Sequence, residues 1–239
     1  MQEHPGLSLL IPVKNEAGNI GALLDEVNAA LASRFDLEVV VVDDASTDTT
    51  PQELQAAASR YPWLKILTNP KSQGQSRAVW TALWVSSKPH IAVLDGDGQN
   101  DPADLNRAWH VYDALQPAGM AIGQRAERQD EWHRLIASRI AASWRRRLLK
   151  DTIRDSGCGL KILPRALFLR LPYFDHMHRF MPSLVRREGG SVAPVPISHR
   201  ERGAGVSKYN NLQRALVGLV DIVGVWWLTK RNKANVLGN

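Results

Sequence analysis

Along the first half of the chain, short, mainly apolar runs alternate with segments of helical period. Residues 7–13 form an apolar run interrupted only by Ser8, and residues 37–42 a run rich in β-branched residues interrupted only by Glu38, as in strands buried on both faces of a parallel sheet. Residues 65–68, 90–94 and 120–123 are shorter runs of the same kind. Between them, residues 22–31, 76–85 and 102–115 repeat apolar positions at helical spacing. Thr50-Pro51-Gln52-Glu53 has the form of a capping box with proline at the first helical position, opening a helix to about Arg60. The alternation predicts an α/β fold, a Rossmann-like, mostly parallel sheet flanked by helices.

The second half follows another pattern. Over residues 131–149 the apolar side chains Trp132, Ile136, Ile140, Trp144 and Leu148 recur every four positions, and Arg134, Arg139, Arg145, Arg146 and Arg147 line the remaining sides. Residues 215–228 are apolar except for Asp221, end in Trp226-Trp227 and lead into Lys230-Arg231. That stretch is shorter than the roughly 20 residues needed to cross a bilayer. Tryptophan beside lysine and arginine is the composition of amphipathic helices lying in a membrane interface, the alternative being that both helices simply pack on the core. The expected division is one domain over residues 1–209, with 131–149 as a basic interface helix, followed by an interface helix and tail over 210–239.

Charge sharpens this division. The 239 residues carry a net +6, yet residues 1–110 hold eight Lys/Arg against fourteen Asp/Glu. Residues 125–150 and 198–239 are each at +5. An acidic half and two basic segments imply one site for a cation and another for an anionic partner, either nucleic acid or an anionic lipid surface. The single cysteine, Cys158, excludes an internal disulfide framework and suits a reducing compartment. No basic-then-apolar leader opens the sequence.

The densest chemistry lies in Asp95-Gly96-Asp97-Gly98-Gln99-Asn100-Asp101, directly after the run at 90–94 and before Pro102. Two aspartates at the carboxyl end of a buried strand point oxygen ligands into the crevice where open α/β sheets bind ligands. Oxygen ligands suit Mg²⁺ or Mn²⁺, which share their coordination with substrate phosphates. Two further loops open on the same sheet edge, Pro12-Val13-Lys14-Asn15-Glu16 and Asp43-Asp44-Ala45-Ser46-Thr47-Asp48. Their carboxylates can accept hydrogen bonds from a ribose and a base, or cap helices and form turns. Asp175-His176-Met177-His178 lacks the cysteine or third histidine that would complete a zinc set and reads as a polar loop on the acceptor side. Cys158, between two glycines, reads as a turn residue.

Pro-x-x-Asn-Glu, then Val-Asp-Asp-x-Ser-x-Asp, then Asp-x-Asp-x-Gln resembles the family-2 glycosyltransferases of the GT-A fold. Gly123-Gln124-Arg125, Arg139 with Ser143, Asp155-Ser156-Gly157-Cys158-Gly159-Leu160, and Arg202-x-x-Gly-x-Ser-Lys208 look like its dolichol-phosphate mannosyltransferase branch, the polyprenyl-phosphate glycosyltransferases. The resemblance implies that Asp95, Asp97 and Gln99 hold the metal. It implies that Pro12, Val13, Asn15, Glu16, Asp43, Asp44 and Asp95 line the nucleotide-sugar. Arg125, Arg139, Ser143, Arg202 and Lys208 would surround the donor diphosphate and the lipid phosphate, and Asp97, Arg125, Arg139, Arg202 and Lys208 would form the catalytic group.

The expected reaction is metal-dependent, inverting transfer of a sugar from a UDP- or GDP-linked donor to a polyprenyl phosphate. It would take place on the cytoplasmic, inner face of the cell membrane, with the protein bound peripherally. A lipid phosphate is already close to a dianion at neutral pH and needs no general base. The partners implied are the donor, the acceptor and the membrane surface, with a small integral-membrane protein or a second copy assisting, and no nucleic acid. The Gln-x-x-Arg-Trp signature of processive polysaccharide synthases is absent. Two other readings stand beside this one: a family-2 transferase with a hydroxyl acceptor and Asp155 as its base, and a non-catalytic basic scaffold or nucleic-acid-binding protein.

Overall fold

The structure is a computed structural model that describes residues 4–125, 147–149, 152–198, 200 and 211–231. Arg139, Ser143, Arg202 and Lys208, and most of the helix expected over 131–149, lie outside the described residues.

The strands are β1 (Gly6–Val13), β2 (Asp36–Asp43), β3 (Leu64–Thr68), β4 (His90–Val93), β5 (Gly119–Arg125), β6 (Lys161–Pro164) and β7 (Ser191–Ile197). They form one sheet in the order β3-β2-β1-β4-β6-β5-β7. β1, β2, β3 and β4 pair in parallel, as do β5 and β7, whereas β6 runs antiparallel to both β4 and β5. The sheet is thus mostly parallel, as the alternation of runs and helices predicts. The chain steps outward from β1 to β3 and then returns to the other side of β1 with β4. This reversal makes the carboxyl ends of β1 and β4 the switch point of the sheet, where such folds open a crevice.

Two apolar layers cover the sheet. On one face, α1 (Ile20–Leu31), α2 (Thr50–Ala58) and α4 (Asp104–Asp113) bury Leu23, Leu24, Val27, Leu54, Leu105 and Tyr112 against Leu9, Ile11, Val39 and Val41. On the other, α3 (Gln75–Val85), α5 (Arg165–Arg170), a 3-10 turn (Met177–Arg179), α6 (Met181–Arg187) and α7 (Asn211–Arg231) pack over Leu10, Val40, Val42, Ile91 and Val93. Successive valines of β2 therefore feed opposite layers, the outcome expected of an unbroken β-branched run. Each such side chain contributes about 1.5–3 kcal/mol when fully buried.

Several local expectations change. α1 begins at Ile20, two residues before the first position expected. α4 begins at Asp104, because Asp101 instead closes a turn, its Oδ1 accepting from the Ala103 amide at 2.8 Å. The capping box at Thr50–Glu53 does not form: Thr49 is the N-cap, and the Thr50 and Glu53 side chains reach across to the β1–α1 loop. β7 carries Pro194 and Pro196, which normally demote a strand; it is an edge strand, paired only with β5, where missing N–H donors are tolerated.

Candidate active site

The loops after β1 and β2 are sewn together by a ladder of side-chain acceptors. Four consecutive amides, those of Asn15, Glu16, Ala17 and Gly18, donate to Ser46 Oγ at 2.8 Å, Thr50 Oγ1 at 2.9 Å, Asp48 Oδ2 at 3.2 Å and Glu53 Oε1 at 2.9 Å. In return, Asn15 Oδ1 accepts from the Thr47 amide at 2.7 Å. Asn15 and Ala45 take positive φ values of 55° and 59° to make these bends. The polar residues of both loops thus satisfy backbone donors that would otherwise be lost, which fixes one wall of the crevice.

The residues expected to line the nucleotide separate accordingly. Pro12 and Val13 do lie at the switch point, where Val13 packs so closely on Gly96 that a Cβ there would stand 2.5 Å from Val13 Cγ1. Glu16 is buried and accepts from Asn19 Nδ2 at 2.9 Å. Asp43 is buried, with Oδ1 accepting from the Ser46 amide at 3.0 Å and Oδ2 unpartnered among the described residues. Asp44 accepts four hydrogen bonds from the β3–α3 loop: Asn69 Nδ2 at 2.8 Å, Ser72 Oγ at 2.7 Å, the Gln73 amide at 2.8 Å and the Gly74 amide at 2.9 Å. Those donors outweigh burial and hold its carboxyl below the usual range. In this structure Asp44 organises the approach to α3.

Asp95 and Asp97 follow β4 at the switch point. Burial, and then the charge of Asp97, push the Asp95 carboxyl up to about 6, opposed by Lys161, Arg125 and the Gln75 side-chain amide. Gln75, the first residue of α3, donates from Nε2 to Asp95 Oδ1 at 2.7 Å. Behind the carboxylate, a Cβ on Gly159 would lie 2.3 Å from Asp95 Cγ. Lys161 is 2% exposed and donates Nζ to the carbonyl of Cys158; burial draws its ammonium down, while Cys158, Asp95 and Asp155 oppose that. Gln75 and Lys161 were invisible to motif reading, since one opens an ordinary helix and the other stands at the start of an apolar strand.

The donor set suits a hard divalent cation. Asp95 and Asp97 offer only carboxylate oxygens, and a cation held by both would relieve their mutual repulsion. Among the described residues no group of three or more His, Cys, Asp and Glu gathers. Two carboxylates are a set that Mg²⁺ commonly takes when substrate phosphates complete its shell. Gln99, expected as a third ligand, directs Nε2 to the Arg200 carbonyl at 3.4 Å, and its main-chain carbonyl accepts from the Arg200 amide at 2.9 Å. Arg200 also binds Glu26 Oε1 at 2.9 Å and pairs with Asp101, which fastens the segment after β7 to the aspartate turn.

Arg125 is the one expected phosphate-binding residue within the described residues. Its guanidinium is committed to Asp155, with Nε on Oδ2 at 2.6 Å and Nη2 on Oδ1 at 2.9 Å. Cys158 closes the turn from Asp155, its amide donating to the Asp155 carbonyl at 3.2 Å, and its side chain is buried against Gly123, where burial pushes the thiol up to about 11. The two histidines of the 175–178 segment diverge. His178 Nδ1 meets Ser76 Oγ at 2.8 Å, whereas His176 Nδ1 lies 3.4 Å from Asp221 Oδ2 on α7.

The family model described as glycosyl transferase family 2 matches residues 8–173. Among curated proteins, the chain is 29% identical over 229 residues to the dodecaprenyl-phosphate galacturonate synthase of Rhizobium johnstonii, covering 94% of this chain and 67% of that protein. It is also 29% identical over 242 residues to the undecaprenyl-phosphate 4-deoxy-4-formamido-L-arabinose transferase of Yersinia pestis, covering 98% and 71%. Glucosyl-3-phosphoglycerate synthase from Mycobacterium tuberculosis, solved with Mn²⁺, UDP-glucose and phosphoglyceric acid, shares the fold with a TM-score of 0.65 at 16% identity, over 94% of this chain and 79% of that one.

Proposed function

The chain belongs to glycosyl transferase family 2, and we propose that it moves a sugar from a UDP- or GDP-linked donor to a polyprenyl phosphate, inverting the anomeric centre. The observation that carries this reading is the Asp95–Asp97 pair at the β1/β4 switch point of a family-2 chain. The dodecaprenyl- and undecaprenyl-phosphate relatives support the acceptor class.

In this reading Asp95 and Asp97 hold Mg²⁺ or Mn²⁺ against the donor diphosphate. When bound, the cation supplies positive charge that stabilises the departing nucleoside diphosphate. The loops after β1 and β2 shape the nucleoside pocket through Pro12, Asn15 and the backbone that Glu16, Asp43 and Asp44 hold in place. Arg139, Ser143, Arg202 and Lys208 are assigned to the lipid phosphate, together with the end of β5 at Arg125. Arg200, fastened to the aspartate turn, stands two residues before Arg202 in the sequence. The acceptor phosphate carries its own negative charge, so cations must bring it beside an anionic donor, and no base must deprotonate it. The pairing of Asp155 with Arg125 favours this acceptor over a sugar hydroxyl, because both carboxylate oxygens already accept from the guanidinium.

The acceptor's tail calls for a lipid surface, and α7 offers one. No described helix is long and apolar enough to cross a membrane. On α7, Ile222 and Val225 turn inward, whereas Val220, Val223, Gly224, Trp227 and Arg231 form an exposed stripe at helical spacing, flanked by Trp226 and Lys230. Arg231 stacks over the Trp227 ring at 5.3 Å. An outward apolar stripe with a basic end fits an anionic membrane interface, with the protein bound peripherally on the cytoplasmic face.

The test is to incubate the protein with Mn²⁺, UDP- and GDP-sugars and a polyprenyl phosphate, and to count sugar in the organic extract. Transfer that disappears in Asp97→Ala supports the reading. Donor hydrolysis without lipid product, or transfer only to a sugar hydroxyl, overturns it. Sedimentation with phosphatidylglycerol-containing vesicles, lost in Val223→Ser/Trp227→Ser, tests the membrane contact separately.

A further inference from the structure

Asp95 is held on two sides by groups with no other evident task. Gln75 Nε2 donates to Oδ1 at 2.7 Å, and the bare Cα of Gly159 presses on the carboxylate so closely that a Cβ would overlap Cγ and Oδ2 at 2.3 Å. A carboxylate fixed by one hydrogen bond and one steric wall keeps a single rotamer. Gln75 is itself exposed and would ordinarily wander, yet the turn before it is anchored. Asp44 receives the amides of Gln73 and Gly74, the two residues that lead into α3, and Gly74 adopts a φ of 86° to make the bend. Asp44 thus fixes the entry to α3, α3 fixes Gln75, and Gln75 fixes Asp95.

We propose that Gln75 is a positioning residue for the metal site, orienting Asp95 through its side-chain amide, with Asp44 as its anchor. The inference rests on the reading of Asp95 and Asp97 as ligands of a divalent cation. Partners one shell beyond a ligand commonly contribute about 10–100-fold to metal affinity, because they remove the cost of orienting the ligand at binding. Oδ1 accepts from Gln75, and a cation would be held by the carboxylate in the one orientation that this bond and the Gly159 wall leave it.

The experiment measures free Mn²⁺ by electron paramagnetic resonance while protein is titrated, with and without UDP or GDP, using the full chain and its Gln75→Met and Gln75→Ala variants. Methionine keeps the length of glutamine and removes the donor. The expected result is an Mn²⁺ Kd raised about 10-fold in both variants, with the metal-free thermal midpoint unchanged. Saturating Mn²⁺ should restore much of kcat. A Kd within about two-fold of wild type overturns the role of Gln75 while leaving the metal site standing, since routine additivity error is of that order. A fall in the midpoint that accompanies the change in Kd also overturns it, by making Gln75 merely structural. Wild-type protein that binds no Mn²⁺, even with nucleotide, removes the metal reading itself.

Discussion

Arg125 and Asp155 join the end of β5 to the loop before β6 by two parallel hydrogen bonds, 2.6 and 2.9 Å long, with side chains only 22% and 6% exposed. The bond to Asp155 outweighs burial and raises the guanidinium above its ordinary value, so Arg125 keeps its charge. Removing either partner takes two charge-assisted hydrogen bonds from a charge that stays largely buried. Asp155→Ala and Arg125→Ala should each lower stability by about 3 kcal/mol, and the double variant by less than their sum. Urea denaturation checks this. A hydroxyl-acceptor enzyme using Asp155 as base would instead show Asp155→Asn losing kcat at nearly unchanged stability.

Gly159 makes a second, narrower prediction. A methyl group there has no room beside the Asp95 carboxylate, which must rotate away from its position. Gly159→Ala should therefore fold normally yet transfer sugar about 10²-fold more slowly, the loss that a displacement of about 1 Å brings at a reacting centre. Gly157, which has open space where a Cβ would go, is the matched control, and Gly157→Ala should leave kcat close to wild type.

Away from the site, Glu38 sets an acid limit on stability. Its carboxylate is buried in the sheet, accepting from Lys65 Nζ at 2.5 Å, the Ser87 amide at 2.8 Å and the Ser8 hydroxyl. Burial raises its pKa, but these donors win and bring it from 4.5 to about 2. A folded-state pKa below the unfolded one means stability is fully present above about 4.5 and is lost as pH falls toward 2. At neutral pH the contribution is about 3 kcal/mol. Glu38→Gln should lose most of that at pH 7 and differ little from wild type near pH 2, measured as urea midpoints at both.

The parallel half of the fold was legible because buried parallel strands read as mainly apolar runs, and β1, β2 and β4 keep that character despite Ser8 and Glu38. The antiparallel strand β6 was not, since Lys161 breaks its apolar run and only a buried cluster with Asp95 explains a lysine there. β7 was hidden by Pro194 and Pro196, which an edge strand accommodates and a central one does not. At the site, the position of Asp95 and Asp97 at the carboxyl end of β4 was readable because an apolar run ends directly before them. The acids of the neighbouring loops were readable as a group but not individually: Asp44, Asp48 and Glu53 all bind backbone amides, a role that sequence cannot separate from contact with ribose. Gln75 carried no signal at all, because its importance lies in what a hydrogen bond from the first turn of α3 reaches.

α7 carries one acidic residue among its described side chains, Asp221, and its position decides how the helix docks. Burial raises the Asp221 carboxyl, and His176, held at a left-handed φ of 64° and 3.4 Å away, pulls it back toward the charged form. Removing the histidine takes away one of the two neighbours, His176 and Arg179, that favour the charged carboxylate, so His176→Ala should lower the thermal midpoint by the equivalent of about 1 kcal/mol and speed amide exchange along 218–231. Replacing the acid itself has the opposite sign. Asp221 neighbours Ile222 on α7, whose buried residues pack with the core formed by α3, α5 and α6, so a leucine there exchanges an imperfect polar contact for apolar burial. Asp221→Leu should leave the midpoint unchanged or raise it, and hydrogen exchange on both variants distinguishes an ion pair that docks the helix from one that merely decorates it.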